Sequence, residues 1–226
     1  MKIWHFGDSH TYHGLLDIPK NIDMIIFSGD ATNPLNPVLN EIEMLNFLHW
    51  FALIDCRYKI MIAGNHDSSI EKNRVTKKTI EEYGIIYLEN EEVIIEGIKI
   101  WGSPYCPTFG NWCFMKNRNK LDKIWRHIPE DTDILVTHTP PKGILDYSHD
   151  YNNYVERCGC SALMKRILNL NIKYHLFGHI HNNKDIINAG TMKLSILDTI
   201  FSNGSILTDG KFGKLTSNGN IINYKK

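Results

Sequence analysis

Apolar runs of strand length recur along the chain, at Lys2 to Phe6, Met24 to Ser28, Tyr58 to Ala63, Ile134 to Val136 and Leu176 to Phe177. Each is followed at once by polar and turn-forming residues, the pattern of short strands running into loops. Between the second and third runs, Val38, Ile42, Leu45, Leu48 and Ala52 recur at steps of three and four and predict a helix over Pro37 to Asp55, with Pro37 in its first turn. A second helix is expected over Glu71 to Tyr83, stopping before Gly84. Strands at Ile85 to Leu88, Glu92 to Ile95 and Ile98 to Trp101 come next, the last two joined by a tight turn at Glu96-Gly97. Strand, helix, strand predicts parallel pairing, and the hairpin makes the sheet mixed.

From Gly102 to Asn119 the pattern breaks into Pro, Gly and aromatics, including Trp101, Tyr105, Phe109, Trp112 and Phe114 at or beside it. This predicts a long ordered loop whose aromatics either cover a sheet edge or meet substrate. Helices are expected near Leu121 to Ile128 and Ser161 to Leu170. After Ile186, short strands are separated by turns at Asn188-Ala189-Gly190, Asn203-Gly204 and Asp209-Gly210. No repeat or composition break divides the chain, so residues 1–226 are expected to form one domain, with a core over about 1–200 and a short polar tail that frays after Thr216.

Composition narrows the class without naming a function. Apolar content of 42% and charged content of 22% suit a soluble globular protein of 226 residues. No apolar run reaches the ~18 residues that a membrane helix needs, and no leader is expected before Asp8. Five cysteines, odd in number and irregularly spaced, are expected as reduced thiols of a cytoplasmic protein. Cys158-Gly159-Cys160 reads as a loop running into a helix start. With 25 basic and 25 acidic residues there is no global field to attract nucleic acid or anionic lipid, so neither partner is expected and any anion selectivity must be local.

The strand ends carry the chemistry. Asp8-Ser9-His10, Gly29-Asp30, Gly64-Asn65-His66-Asp67, Thr137-His138 and Gly178-His179-Ile180-His181 each follow a strand-like run. Carboxyl ends of strands open on one crevice, where side chains distant in sequence can meet. Asp8, His10, Asp30, Asn65, His138, His179 and His181 supply carboxylates, an amide oxygen and imidazoles, a mixed set suited to transition ions and unlike an all-oxygen Ca or Mg cage. Seven ligands are too many for one ion, and two ions sharing a carboxylate would use them well. Two divalent ions against two carboxylates leave a local positive charge that attracts an anionic phosphoester. His49, His127 and His175 read as packed or surface residues, and His5 and His13 as structural or surface ones.

In these motifs the chain resembles the calcineurin-like metallophosphoesterase superfamily, with the pattern complete from Asp8 to His181. Trp101-Gly102-Ser103-Pro104, Phe109-Gly110-Asn111-Trp112, Asp133 to Pro141 and His175 to His181 look like the metallophosphoesterase-domain-containing phosphodiesterases of animal brain and their microbial and viral relatives. The resemblance implies an α/β (α+β) fold, a four-layer αββα double β-sandwich of mixed sheets flanked by helices. It implies that Asp8, His10, Asp30 and His181 hold one metal and Asp30, Asn65, His138 and His179 the other. The cofactors would be two divalent transition-metal ions, Mn2+ foremost, with Fe, Zn, Ni or Co as alternatives. Physics and resemblance together imply in-line attack of a metal-bridging hydroxide on a small phosphodiester such as a cyclic nucleotide, with His66 as general acid and Asp67 orienting it. Phosphomonoesterase or nuclease chemistry on the same site, and a scaffold without turnover, are the competing readings.

Overall fold

The computed structural model describes residues 1–150, 152–210 and 213–225. Along the chain come β1 (Lys2–Phe6), β2 (Met24–Phe27), α1 (Pro37–Leu53), β3 (Tyr58–Met61), α2 (Ser68–Glu71), α3 (Lys77–Glu82) and β4 (Ile86–Tyr87). Then follow β5 (Glu91–Ile95), β6 (Ile98–Ser103), β7 (Cys106–Pro107), β8 (Met115–Lys116), α4 (Arg118–Trp125), β9 (Ile134–Thr137), β10 (Tyr147–His149) and β11 (Val155–Arg157). The last elements are α5 (Ser161–Ile167), β12 (Tyr174–Phe177), β13 (Gly190–Lys193), β14 (Ile200–Asn203) and β15 (Asn220–Asn223).

Two mixed sheets face each other. The first has the order β15-β1-β2-β3-β4 and the second β13-β14-β12-β9-β6-β5. Period-two alternation decides which side chains meet between them: Ile3, Met24, Ile26, Ile60 and Ile62 of the first face Ile98, Ile100, Ile134, Val136 and Leu176 of the second. The alternate residues Trp4, Phe6, Ile25 and Phe27 point outward and are covered by Met44, Phe47, Leu48 and Phe51 of α1. On the opposite side Trp101, Leu135, Phe177 and Phe201 are covered by Leu121 and Trp125 of α4 and Leu163 and Ile167 of α5. Helix, sheet, sheet, helix is the αββα double sandwich expected above. No helix of the described residues is long and apolar enough to cross a membrane.

Several expectations need correction. Of the residues whose spacing supported α1, only Leu48 is buried, and Val38 and Ile42 are exposed. The helix is apolar on more than one side, and the aromatic face of Phe47 and Phe51 wins because it packs directly on Phe27. The second helix is two: Asn73 turns left-handed at φ 55°, buried Val75 draws the chain inward, and Thr76 restarts the helix by capping the Thr79 N–H at 3.1 Å. The 102–119 loop contains a small parallel pairing of β7 with β8. Asn203-Gly204 is no hairpin turn but a tie between the sheets, with the Gly7 N–H donating to the Gly204 carbonyl and the Gly204 N–H to that of Phe177. The tail does not fray, since β15 pairs antiparallel with β1 and Ile222 and Tyr224 are buried. The core therefore extends well past residue 200. The Glu96-Gly97 turn is as expected, both residues lying at positive φ, 50° and 79°.

Candidate metal centre

Within their sheets β1, β2 and β3 run parallel, as do β6, β9 and β12, so the carboxyl ends of the motif strands open on one edge. There the backbone turns abruptly. Asp8, His10, Asp30 and His179 lie at φ of 53°, 40°, 60° and 71°, in the left-handed region that short polar side chains tolerate best after glycine. Four such residues in one crevice mark strain held by the surrounding fold, the kind that accumulates at functional sites. Glycine makes the close approach possible. A Cβ on Gly64 would overlap an Asp30 carboxylate oxygen, and one on Gly178 an Asp8 carboxylate oxygen.

The seven candidate ligands converge. Asp8, His10 and His181 offer one atom each within 4.8 Å of one another, and so do Asp30, His138 and His179. Asp30 joins the two groups, its Oδ2 lying 3.9 Å from His10 Nε2 and 3.3 Å from His138 Nε2. Asn65 completes the second group, with Oδ1 2.9 Å from His138 Nε2. His66 also falls within 4.8 Å of His10 and Asp30, a closer approach than its position in the motif implied.

Hydrogen bonds set the tautomers. His10 Nδ1 donates to the Thr32 carbonyl at 3.0 Å, His138 Nδ1 to that of Ser28 at 2.9 Å and His66 Nδ1 to that of Asn33 at 3.2 Å. Each ring keeps Nε2 for the crevice, as a metal-binding imidazole does. At His138 the Nε2 lone pair, the Asn65 amide oxygen and an Asp30 oxygen then point at one another. Such a convergence of electron pairs is favourable only with a proton or a cation among them, and the mixed nitrogen and oxygen set suits a divalent transition ion.

Protonation follows from burial and neighbours. Burial drives His10 down to about 4 and His179 to about 3, the latter helped by the charge of His138, so both are neutral at pH 7 and ready to ligate. For His138 burial pulls the same way, but the Asp30 carboxylate outweighs it and lifts the ring to about 9. Asp30 is held well below the carboxylate range, its burial overcome by the His138 and His66 rings. Burial raises Asp8, yet the hydrogen bond and charge of His181 bring it down to about 2, and the same contact raises His181 against its own burial.

Asp67 does not orient His66. It is fully buried and accepts N–H bonds from Asp30, Ala31, Thr32 and Gly64 at 2.8–3.2 Å and the Thr32 hydroxyl at 2.9 Å. The carboxylate thus staples the Asp30 loop to the Asn65 loop. The His66 ring is set instead by the Asn33 carbonyl and by Trp112, whose ring centroid lies 4.4 Å away.

Other supporting residues carried no visible signal. Ser205 Oγ donates to Asp8 Oδ2 at 2.6 Å, and the Asn203 amide donates to the Ile180 carbonyl at 2.9 Å, steadying the loop between His179 and His181. His5, buried and pushed down to about 3 by desolvation, bonds Ser202 and Ser28 between the sheets, a structural role as expected. A hydroxyl on a short strand has no periodicity to betray it; only the crossing of Gly204 over Gly7 brings Ser205 to Asp8.

Above this floor lies a cavity of about 550 Å³. Phe109 and Trp112 of the 102–119 loop form one wall, Phe109 resting 5.2 Å from His179 between ring centroids. Phe114 and Cys113 of the same loop are buried in the core, so the loop both packs and lines the site. Residues of the β10–β11 hairpin also line the cavity, anchored by buried Asp146, which accepts from Arg157 at 2.8 Å and from the Gly143 and Gly159 N–H groups at 2.9 and 3.1 Å. The five cysteines are free thiols, and Cys160 precedes α5 as expected.

Comparison with known proteins gives a consistent picture. The calcineurin-like phosphoesterase profile matches residues 1–183. Human metallophosphoesterase domain-containing protein 1 is 31% identical over 226 aligned residues, covering 89% of this chain and 65% of that protein. A UPF0046 protein of Caenorhabditis elegans is 32% identical, covering 84% of this chain and 67% of its own. The chain thus spans about two thirds of the length of these relatives. A solved crystal structure superimposes with a TM-score of 0.68 at 14% identity, covering 89% of each chain, a likeness of fold alone.

Proposed function

Because the chain belongs to the calcineurin-like phosphoesterase family, we propose that it is a dinuclear phosphodiesterase acting on small phosphodiesters such as cyclic nucleotides. The reading is carried by the electron-pair donors that converge on either side of Asp30. Asp8, His10, Asp30 and His181 would hold one divalent ion, and Asp30, Asn65, His138 and His179 the other. The donor set suits Mn2+ and, by the same preferences, Fe, Zn, Ni or Co. Two such ions, when bound, supply Lewis-acid polarisation of the phosphoryl group and lower the pKa of water.

The chain's own residues do the rest. His66 donates its Nδ1–H to the Asn33 carbonyl, and as general acid it would carry a second proton at Nε2 for the departing alkoxide. Trp112 packs against that ring at a 35° tilt and limits its rotation. Asp67 keeps the Asp30 and Asn65 loops in register, and Ser205 fixes the Asp8 carboxylate. The cavity of about 550 Å³ over the floor has room for substituents beyond a single phosphoryl group, as a diester carries. Five free thiols accord with a cytoplasmic setting.

The test is hydrolysis of bis-p-nitrophenyl phosphate and of 2′,3′- and 3′,5′-cyclic nucleotides against p-nitrophenyl phosphate, using EDTA-stripped protein restored with one metal at a time. Diester turnover should exceed monoester turnover with Mn2+. Faster monoester cleavage would turn the reading to a phosphomonoesterase, and silence with every metal and substrate would turn it to a scaffold.

A further inference from the structure

The zero net charge of the chain conceals a local imbalance beside the catalytic cavity. A groove of about 530 Å³ runs between α4 and α5, where Arg118, Lys123, Arg126 and Lys165 face a single carboxylate, Asp122. Arg126 pairs with that carboxylate. Arg118 donates to the Ser161 hydroxyl at 3.0 Å, and among the described residues it, Lys123 and Lys165 have no carboxylate partner. The groove keeps a net charge of +3.

Arg118 lines this groove and the catalytic cavity alike, so the two adjoin at its side chain. The hairpin side of the cavity has the opposite character, with Asp150, Glu156 and Asp209 on and beside it, while its one cation among the described residues, Arg157, is paired with buried Asp146. A polyanion whose scissile phosphate sits on the floor is therefore repelled from the hairpin side and drawn out along α4. Phe109, 54% exposed, and the half-buried Trp112 line the catalytic cavity that Arg118 borders. Aromatics beside a cationic surface are the elements that hold single-stranded nucleic acid, bases stacking while cations follow the backbone. Helix α4, with eight residues, is about 12 Å long.

From this juxtaposition we propose that the α4–α5 groove binds the backbone of a short single-stranded oligonucleotide whose end enters the catalytic cavity past Phe109 and Trp112. The inference deepens the proposed phosphodiesterase and rests on it, widening the substrate class from small diesters to those that carry further phosphates. It also revises the expectation that nucleic acid is no partner, which rested on global charge alone.

The experiment measures fluorescence anisotropy of a 5′-fluorescein-labelled ten-nucleotide oligothymidylate with the EDTA-treated full chain across a salt series. Turnover of bis-p-nitrophenyl phosphate by the metal-restored protein is measured separately, so a failure of the phosphodiesterase reading is seen apart from a failure of the groove. Binding should weaken with salt. The double variant Lys123→Glu, Lys165→Glu should lose more than tenfold in affinity and flatten the log–log salt slope by about 0.7 for each phosphate contact removed. Its melting temperature and metal content should match those of the parent. Phe109→Ala should weaken oligothymidylate at least fivefold while leaving binding of inorganic polyphosphate unchanged. Absence of binding at low salt, parental affinity in the double variant, or competition by duplex DNA or polyphosphate as effective as by single strand would each overturn the proposal.

Discussion

The floor and the rim of the cavity are built in opposite ways. On the floor, Asp8, Asp30, Asn65 and His138 are buried, bonded to backbone or to one another, and two of them, Asp8 and Asp30, are held in left-handed backbone with glycines packed closely against them. On the rim, Phe109 is exposed and its ring rests 5.2 Å from His179 between centroids, with no buried polar partner to lose. A buried polar group that loses its partner bears the whole desolvation cost, whereas an exposed one exchanges its partner for water. Substitutions on the floor should therefore abolish a property outright, while those on the rim should only scale one.

The largest effect is expected at Asp30. Asp30→Ala should remove both ions, read as metal content by mass spectrometry, and lower turnover by at least ~10³-fold, since electrostatic stabilisation supplies much of such a barrier. Retention of two ions would break the assignment of Asp30 to both sites. Next comes His66→Ala, which should keep metal and lose about 10²–10⁴-fold in kcat on diesters with poor leaving groups, with a much smaller loss when the leaving group is p-nitrophenolate. An equal loss on both would assign His66 to structure rather than proton transfer.

Ser205→Ala tests the layer beneath. Removing the donor to Asp8 should weaken metal binding by about 10–100-fold, read by titration calorimetry into the stripped protein, with the fold intact by circular dichroism. Trp112→Ala sharpens the contrast from the rim side, since loss of the ring that packs on His66 should lower kcat several-fold with unchanged metal content. A loss as deep as that of His66→Ala would place Trp112 with the floor.

The smallest effect concerns stability. In the stripped protein His138, raised to about 9 by Asp30 against its own burial, binds a proton more tightly folded than unfolded. Its contribution is fully present below the unfolded value near 6.5 and is lost as pH rises through about 9. The melting temperature of EDTA-treated protein should fall across that window, and His138→Gln should flatten the fall.

Legibility followed the same division. The motif residues were readable because each stands directly after a strand-like run, and parallel pairing places such residues on one edge. Phe47 and Phe51 of α1 were not chosen by spacing, because a helix apolar on several sides has no preferred face until a sheet is laid against it. Asp67 was misread for a related reason. Proximity in the chain to His66 suggested a partner, but the tight turn after Asn65 sends the carboxylate back into the protein, toward the amides of residues 30–32. The terminal segment looked too polar for a strand, yet β15 needs only Ile222 on its inner face, with Tyr224 buried just beyond it, and the open edge of β1 beside it.

Sequence alone determined the strand ends, the ligand-type residues placed on them and the family pattern they make, because period-two burial and loop chemistry are local properties of a chain. Tertiary structure alone decided that Asp67 turns back to the Asp30 loop, that Ser205 reaches Asp8, and that Arg118 borders both the catalytic cavity and a cationic groove. Those contacts bridge separations of up to 197 residues, and they arise only where two independently paired sheets and the helices outside them meet in three dimensions.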